Sequence, residues 1–379
     1  MNSKIIINNR FQRIINVLLL NASFIDNLGL MNGKMGIAIF FFHLSRETKN
    51  QIYENYAGEL IDEIYDEITV DTPLDFENGL AGIGWGIEYL VQNGFLEADT
   101  DEVLEDFDNR LIQHFVYNTP TDIGLLRGIS GLGAYFLKRI QNPNSNDENI
   151  KTLVNKELFI KIIDELDRKL TNDEIERLQN GKMELIENSL EPLIIKNNAL
   201  TEENFKLISD YPFLLWFLSE TYEQNIFNFK VEKIIFRLLS PLTVANKMPQ
   251  MKCNRLLLVM ALEKIKSLNF EQYLDGSIDE MIKKLLTGID REAINKELIP
   301  DSAYMKNGTS GISFIYSQLF RLTGEHNYKK ESLHWQTSSF KFDETDQGYA
   351  GFNVAKENEG KTFGLLSGLA GIAFLDNKC

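Results

Sequence analysis

Two thiols and four imidazoles are all the Cys and His side chains this chain can offer a soft metal: Cys253, Cys379, His43, His114, His326 and His334. A four-cysteine zinc site is impossible within it. A catalytic zinc needs three protein ligands and an open fourth position, so histidines would have to gather around Cys253. His43 and His114 lie inside runs with helical spacing and His326 follows a helix stop at Gly324, which speaks against such a gathering. Flanked by Lys252 and Arg255, Cys253 reads either as a thiol activated by cations or as a small buried hydrophobe; the terminal Cys379 reads as incidental. Glu77, Glu88 and Asp122 are possible acids for paired-carboxylate chemistry on sugars, although acids on helices usually just face solvent.

The elements that must position these groups are marked by a phrase that recurs five times, Gly-x-x-Gly-(Ile/Leu)-(small), beginning at Gly33, Gly79, Gly128, Gly308 and Gly368. The first three copies are about 45 to 50 residues apart, the period of a helical-hairpin array rather than of a nucleotide loop. Apolar runs with helical spacing follow (Ile39 to Leu44, Ile87 to Val91, Tyr135 to Ile140, Phe314 to Leu322), so the glycines stand at helix starts. Glycine costs roughly 1 kcal/mol against alanine in a helix, and its recurrence there predicts that backbone passes close to backbone. Charged amphipathic stretches, such as Tyr56 to Ile68, Glu102 to Phe115 and Leu158 to Leu170, read as an outer layer. The expected fold is all-α, paired helices in a closed ring. The weakest pattern lies at 141–205, its first part expected as a long loop, and no domain boundary is placed there: residues 1–379 are read as one domain.

Just before the first glycines stand Asn32, Asn78, Arg127, Lys306 with Asn307, and Ser367. In a closed ring they would converge on a central mouth. Asn and Ser are good helix caps, which accounts for Asn32, Asn78 and Ser367, whereas Arg127 and Lys306 are poor caps and fit a binding role. Helix amino termini gathered with two cations favour an anionic guest, a carboxylate or an acidic peptide segment.

Composition narrows the partners. A formal charge of −16 with no concentrated basic patch argues against nucleic acid. Two cysteines give no disulfide framework, no stretch reaches the length of a bilayer span, and a cytoplasmic location is expected.

The phrases resemble the inner-helix motifs of the lanthionine synthetase C (cyclase) family, over nearly the whole chain. The closing order also fits: Asn307-Gly308-Thr309-Ser310-Gly311, Arg321-Leu322-Thr323-Gly324, Trp335, then Phe363-Gly364-Leu365-Leu366-Ser367-Gly368-Leu369-Ala370-Gly371. The resemblance implies an α/α toroid of about seven helical hairpins. It also implies where a catalytic zinc would sit, and there the chain departs from the pattern. The Ala-His-Gly phrase of repeat four is matched by a stretch around Ser209-Asp210-Tyr211 without the histidine. Cys253 alone survives from the Trp-Cys-Tyr-Gly phrase of repeat five, and Lys306-Asn307 replace the Cys-His pair of repeat six. The aspartate of repeat three falls on Gly124, with Asp122 nearby. A cation at a ligand position opposes a divalent metal by like-charge repulsion. The resemblance therefore implies a degenerate, zinc-free member with no expected cofactor, a binding or accessory protein whose partner is a peptide substrate or a modification enzyme. Two alternatives stay open: an active lanthipeptide cyclase with a divergent zinc site, and a carbohydrate-active enzyme on the same toroid.

Overall fold

The computed structural model describes residues 9–143, 150–176, 202–244, 249, 251–268, 278–298, 303–306, 308–339, 363–366 and 368–376. Asn307, Ser367 and Cys379 lie outside the described residues, as do parts of the 141–205 stretch. In chain order the helices are α1 (Asn9–Asn21), α2 (Lys34–Thr48), α3 (Gln51–Glu67), α4 (Leu80–Gln92), α5 (Thr100–Val103), α6 (Glu105–Tyr117), α7 (Ile129–Ile140), α8 (Ile150–Lys169) and α9 (Asn172–Glu176). They continue as α10 (Glu202–Glu223), α11 (Asn228–Val244), α12 (Lys252–Lys266), α13 (Ile278–Leu286), α14 (Arg291–Asn295), α15 (Thr309–Thr323), α16 (His326–Ser339) and α17 (Leu369–Asp376). No strand occurs among the described residues.

Helices that follow the glycine phrases are apolar on almost every side, and they form the inner wall. In α2 the run Met35 to Phe42 is buried throughout. The helices between them carry one apolar stripe: in α3 it is Tyr53, Ala57, Leu60, Ile61 and Ile64, the spacing of a single face. Each fully buried leucine or isoleucine contributes about 1.5–3 kcal/mol, so an amphipathic outer helix holds only while this face is covered. Inner contacts run α2, α4, α7, α10, α12, α15, α17 and back to α2, closing a ring. Outside it, α3, α6, α8, α11, α13 and α16 each pack on the inner helix before them, and α1 covers α17. The first and last described helices thus complete the seventh pair, and the architecture is an α/α toroid.

The second glycine of each phrase has one physical cause. A Cβ on Gly36, Gly82, Gly131, Gly311 or Gly371 would lie 2.3, 2.1, 2.1, 2.1 or 1.9 Å from a backbone carbonyl oxygen of the loop that leads into its helix. Backbone does touch backbone at every one of these helix starts. Gly82→Ala is therefore expected to lose about 1–3 kcal/mol through overpacking. Gly58→Ala, in the middle of α3 with nothing within 4 Å, is expected to gain about 0.5–1 kcal/mol from helix propensity. Urea midpoints of the two variants with opposite signs would check this pair.

Candidate functional site at the rim and centre of the ring

The helix starts are closed by main chain, not by side chains. Gly33, Gly79, Gly128 and Gly308 occupy the cap positions of α2, α4, α7 and α15 with no side-chain cap bond. The first N–H groups donate instead to carbonyls seven residues upstream: Lys34 to Asn27 (2.8 Å), Leu80 to Pro73 (2.8 Å), Ile129 to Asp122 (2.8 Å), Gly311 to Tyr304 (3.3 Å) and Ala370 to Phe363 (3.1 Å). Asn32 and Asn78 are thus not caps. Because these donors are already spent, any preference of the mouth for an anion rests on side chains rather than on bare helix termini.

Neighbouring loops are joined in the same register. Lys306 N–H donates to Leu366 (2.9 Å), Leu366 to Met31 (2.8 Å), Met31 to Glu77 (3.0 Å) and Glu77 to Leu126 (2.9 Å). Each of these five residues stands two positions before the first glycine of its phrase. The loops therefore form one hydrogen-bonded rim from repeat six through repeats seven and one to repeat three.

Side chains on this rim bring three predicted residues together. Arg127 Nε donates to Glu77 Oε2 at 2.7 Å, and Asn32 Nδ2 donates to Glu77 Oε1 at 3.2 Å. Glu77 and Asn32 are buried while Arg127 is exposed. The oxygen of the same Asn32 amide, Oδ1, is buried without a hydrogen-bond partner, a costly state that a guest N–H or a water would relieve. Asn78 is tied elsewhere, accepting from Asn27 Nδ2 at 2.8 Å. The half-buried Lys306 joins the rim through its main chain.

Beside Arg127 a pocket of about 250 Å³ opens between repeats two and three, lined also by Leu74, Asp75, His114, Pro120 and Leu132. Burial lowers the His114 pKa below its ordinary 6.5, so the fold holds the ring neutral. The unfolded chain then binds the proton first as pH falls, and this histidine's contribution to stability is present above pH 6.5 and lost below it. His114→Gln is expected to flatten the fall in melting temperature between neutral and mildly acidic pH, read by thermal denaturation.

On the inner wall, Cys253 is half-buried at the start of α12. Glu297, from the turn after α14, accepts from Lys252 N–H (2.7 Å) and Cys253 N–H (2.9 Å). Burial, then the charge and hydrogen bond of Glu297, push the thiol well above its ordinary range. Arg255, the cation expected to activate it, instead donates to the Pro249 and Thr287 carbonyls. The thiol is therefore protonated, and a carboxylate that sequence reasoning missed has taken the helix terminus beside it. Among the described residues no three of His, Cys, Asp and Glu converge to hold a metal ion, and with Lys306 in the rim the donor set does not fit zinc.

A second carboxylate also escaped the sequence reading. A Cβ on Gly124 would lie 2.4 Å from Asp210 Oδ1, so the buried Asp210 of α10 presses against the backbone of repeat three. The acids considered for sugar chemistry are all engaged: Glu77 on Arg127, Asp122 on the Gly124 N–H (2.8 Å), and the fully buried Glu88 on Arg139.

Residues 25–185 match the family described as lanthionine synthetase C-like protein. That stretch holds the first three phrases and leaves out the half in which the family's metal ligands would fall. No curated protein matches the chain significantly. Among solved structures, nisin cyclase is similar in fold, with a TM-score of 0.62 at 16% identity over 98% of this chain and 94% of that one.

Proposed function

We propose that this chain belongs to the lanthionine synthetase C-like family and is a zinc-free binding or accessory protein of ribosomal peptide modification that holds a peptide at the rim of its ring. The observation that carries this reading is the contrast between rim and centre. Around the rim the loops keep one register and present a cation, Arg127, beside a buried acceptor that lacks a donor, Asn32 Oδ1. In the centre the surviving thiol faces Glu297 rather than further ligands. A peptide backbone N–H supplies the donor that Asn32 Oδ1 lacks, and a peptide carboxylate would share the exposed Arg127 with Glu77. A cytoplasmic setting is supported by the low cysteine count, with Cys253 free, and no described helix is long and apolar enough to cross a membrane.

The test is elemental analysis of untagged protein together with fluorescence anisotropy against fluorescein-labelled, cysteine-containing acidic peptides. Expected are trace zinc and peptide binding that Arg127→Glu and Asn32→Leu each weaken by roughly tenfold or more. Stoichiometric zinc with thioether formation on a dehydrated peptide would overturn the reading.

One observation favours a second reading, a thiol-addition enzyme with a rebuilt centre. Asp210 sets a buried carboxylate against Gly124, the position at which the resemblance implies an aspartate in repeat three. Thioether formation by the wild-type chain, abolished in Asp210→Asn while peptide binding persists, would favour it.

A further inference from the structure

Deeper in the ring, the inner helices repeat a second pattern that neither the rim nor the centre uses. Ten residues after the first glycine of four phrases stand His43, Tyr89, Lys138 and Gln318, all half-buried on helices whose other faces are covered by neighbours. At 1.5 Å per residue they lie about 15 Å below the rim. Being the accessible stripe of an inner wall, they face the lumen. Contacts across helices make them a collar: His43 Nε2 and Tyr89 Oη are 2.8 Å apart, and the His43 ring meets Phe374 of α17 edge-on at 5.2 Å.

One quarter of this collar is arranged like a receptor for an anion on a flat body. Trp85, one turn above Tyr89, stacks with it at 5.4 Å and 10°. Over that double face stands Lys138, its Nζ 6.0 Å from the Trp85 ring and 5.8 Å from the Tyr89 ring. The nearest carboxylates are taken by other cations: Glu88 by Arg139, and Glu220 of α10 by Lys264 at 3.1 Å. Lys138 forms no ion pair among the described residues, and burial lowers its pKa, the mark of a desolvated cation short of a counter-charge.

We propose that this collar is a second binding site, separate from the rim, for a small organic carboxylate with a planar apolar body, its anion on Lys138 and its plane on Trp85 and Tyr89. The ammonium supplies a charge-assisted hydrogen bond in a partly dry lumen, and the stacked rings supply the apolar platform. Because the site sits a ring's depth away from Arg127 and Asn32, it stands whether or not a peptide binds above.

The test titrates the full chain with 3-phenylpropionate and with its neutral counterpart 3-phenylpropanol, by calorimetry and by the fluorescence of Trp85. Expected is binding of the acid, at least roughly tenfold tighter than the alcohol, that Lys138→Met weakens about tenfold to a hundredfold and Arg127→Glu leaves unchanged. Lys138→Gln, checked for an unaltered melting temperature, guards against a folding defect in the first variant. Absence of acid binding, equal binding of acid and alcohol, or retention of acid affinity in both Lys138 variants would each overturn the proposal.

Discussion

Arg139→Met is expected to destabilise the toroid by roughly 3–5 kcal/mol, the cost of leaving buried carboxylates without their cation. Arg139 is 2% exposed and Glu88 0%, so neither charge can turn to water for relief. The guanidinium on α7 reaches Glu88 on α4, Asp101 on α5 at 3.0 Å and Asp108 on α6 at 2.8 Å. The two buried carboxylates accept further bonds: Tyr135 Oη donates to Asp108 at 2.6 Å, and Gln92 and Asn142 donate to Glu88 at 3.0 and 3.2 Å. Burial alone would lower the Arg139 pKa, but the bonds to Asp108 and Glu88 hold it raised. Methionine fills a similar volume, so the loss would be electrostatic rather than a cavity. Urea denaturation measures it, and the double variant with Glu88→Gln should recover part of the loss because the two residues are in direct contact. A cost below about 1 kcal/mol, the scale of an exposed pair, would show that the network is solvated.

The Lys306→Cys/Asn307→His double variant is expected to convert a protein with trace zinc into one that purifies with stoichiometric zinc. With Cys253 it restores the three-ligand set that the resemblance implies, and it removes the cation that repels the metal. Zinc must displace the proton of a thiol held well above its ordinary range by burial and Glu297, so uptake should fall steeply as pH is lowered. Adding Glu297→Gln, which removes the charge facing the thiol, should shift that uptake to lower pH. Elemental analysis across a pH series reads both effects. A double variant that stays zinc-free at alkaline pH would mean that Cys253 and the rim residues do not face one another, and it would undercut the view that this centre lost a metal by substitution alone.

Much of this was legible before any coordinates. Five glycine phrases and the apolar runs behind them announced an inner wall, because only glycine lets a loop carbonyl sit about 2 Å from where a Cβ would stand. Amphipathic stretches announced the outer layer, since a single apolar stripe has one side to hide. Residue types also show Lys306 and Asn307 standing where the resemblance implies a Cys-His pair. Misread were Asn32 and Asn78, whose types are those of caps: a loop that folds back seven residues delivers its own carbonyls to the helix start, and propensity cannot foresee that competition.

What the sequence alone determined is therefore the periodic part of this protein, which elements form and which faces they bury, because both follow from residue type and local spacing. The tertiary structure alone decided which side chains from distant repeats meet: Glu297 at the Cys253 thiol, Asp210 against Gly124, Arg139 among three acids, and Lys138 over Trp85 and Tyr89. Those meetings depend on closing a ring over hundreds of residues, and charge acts through space at distances that no local pattern records.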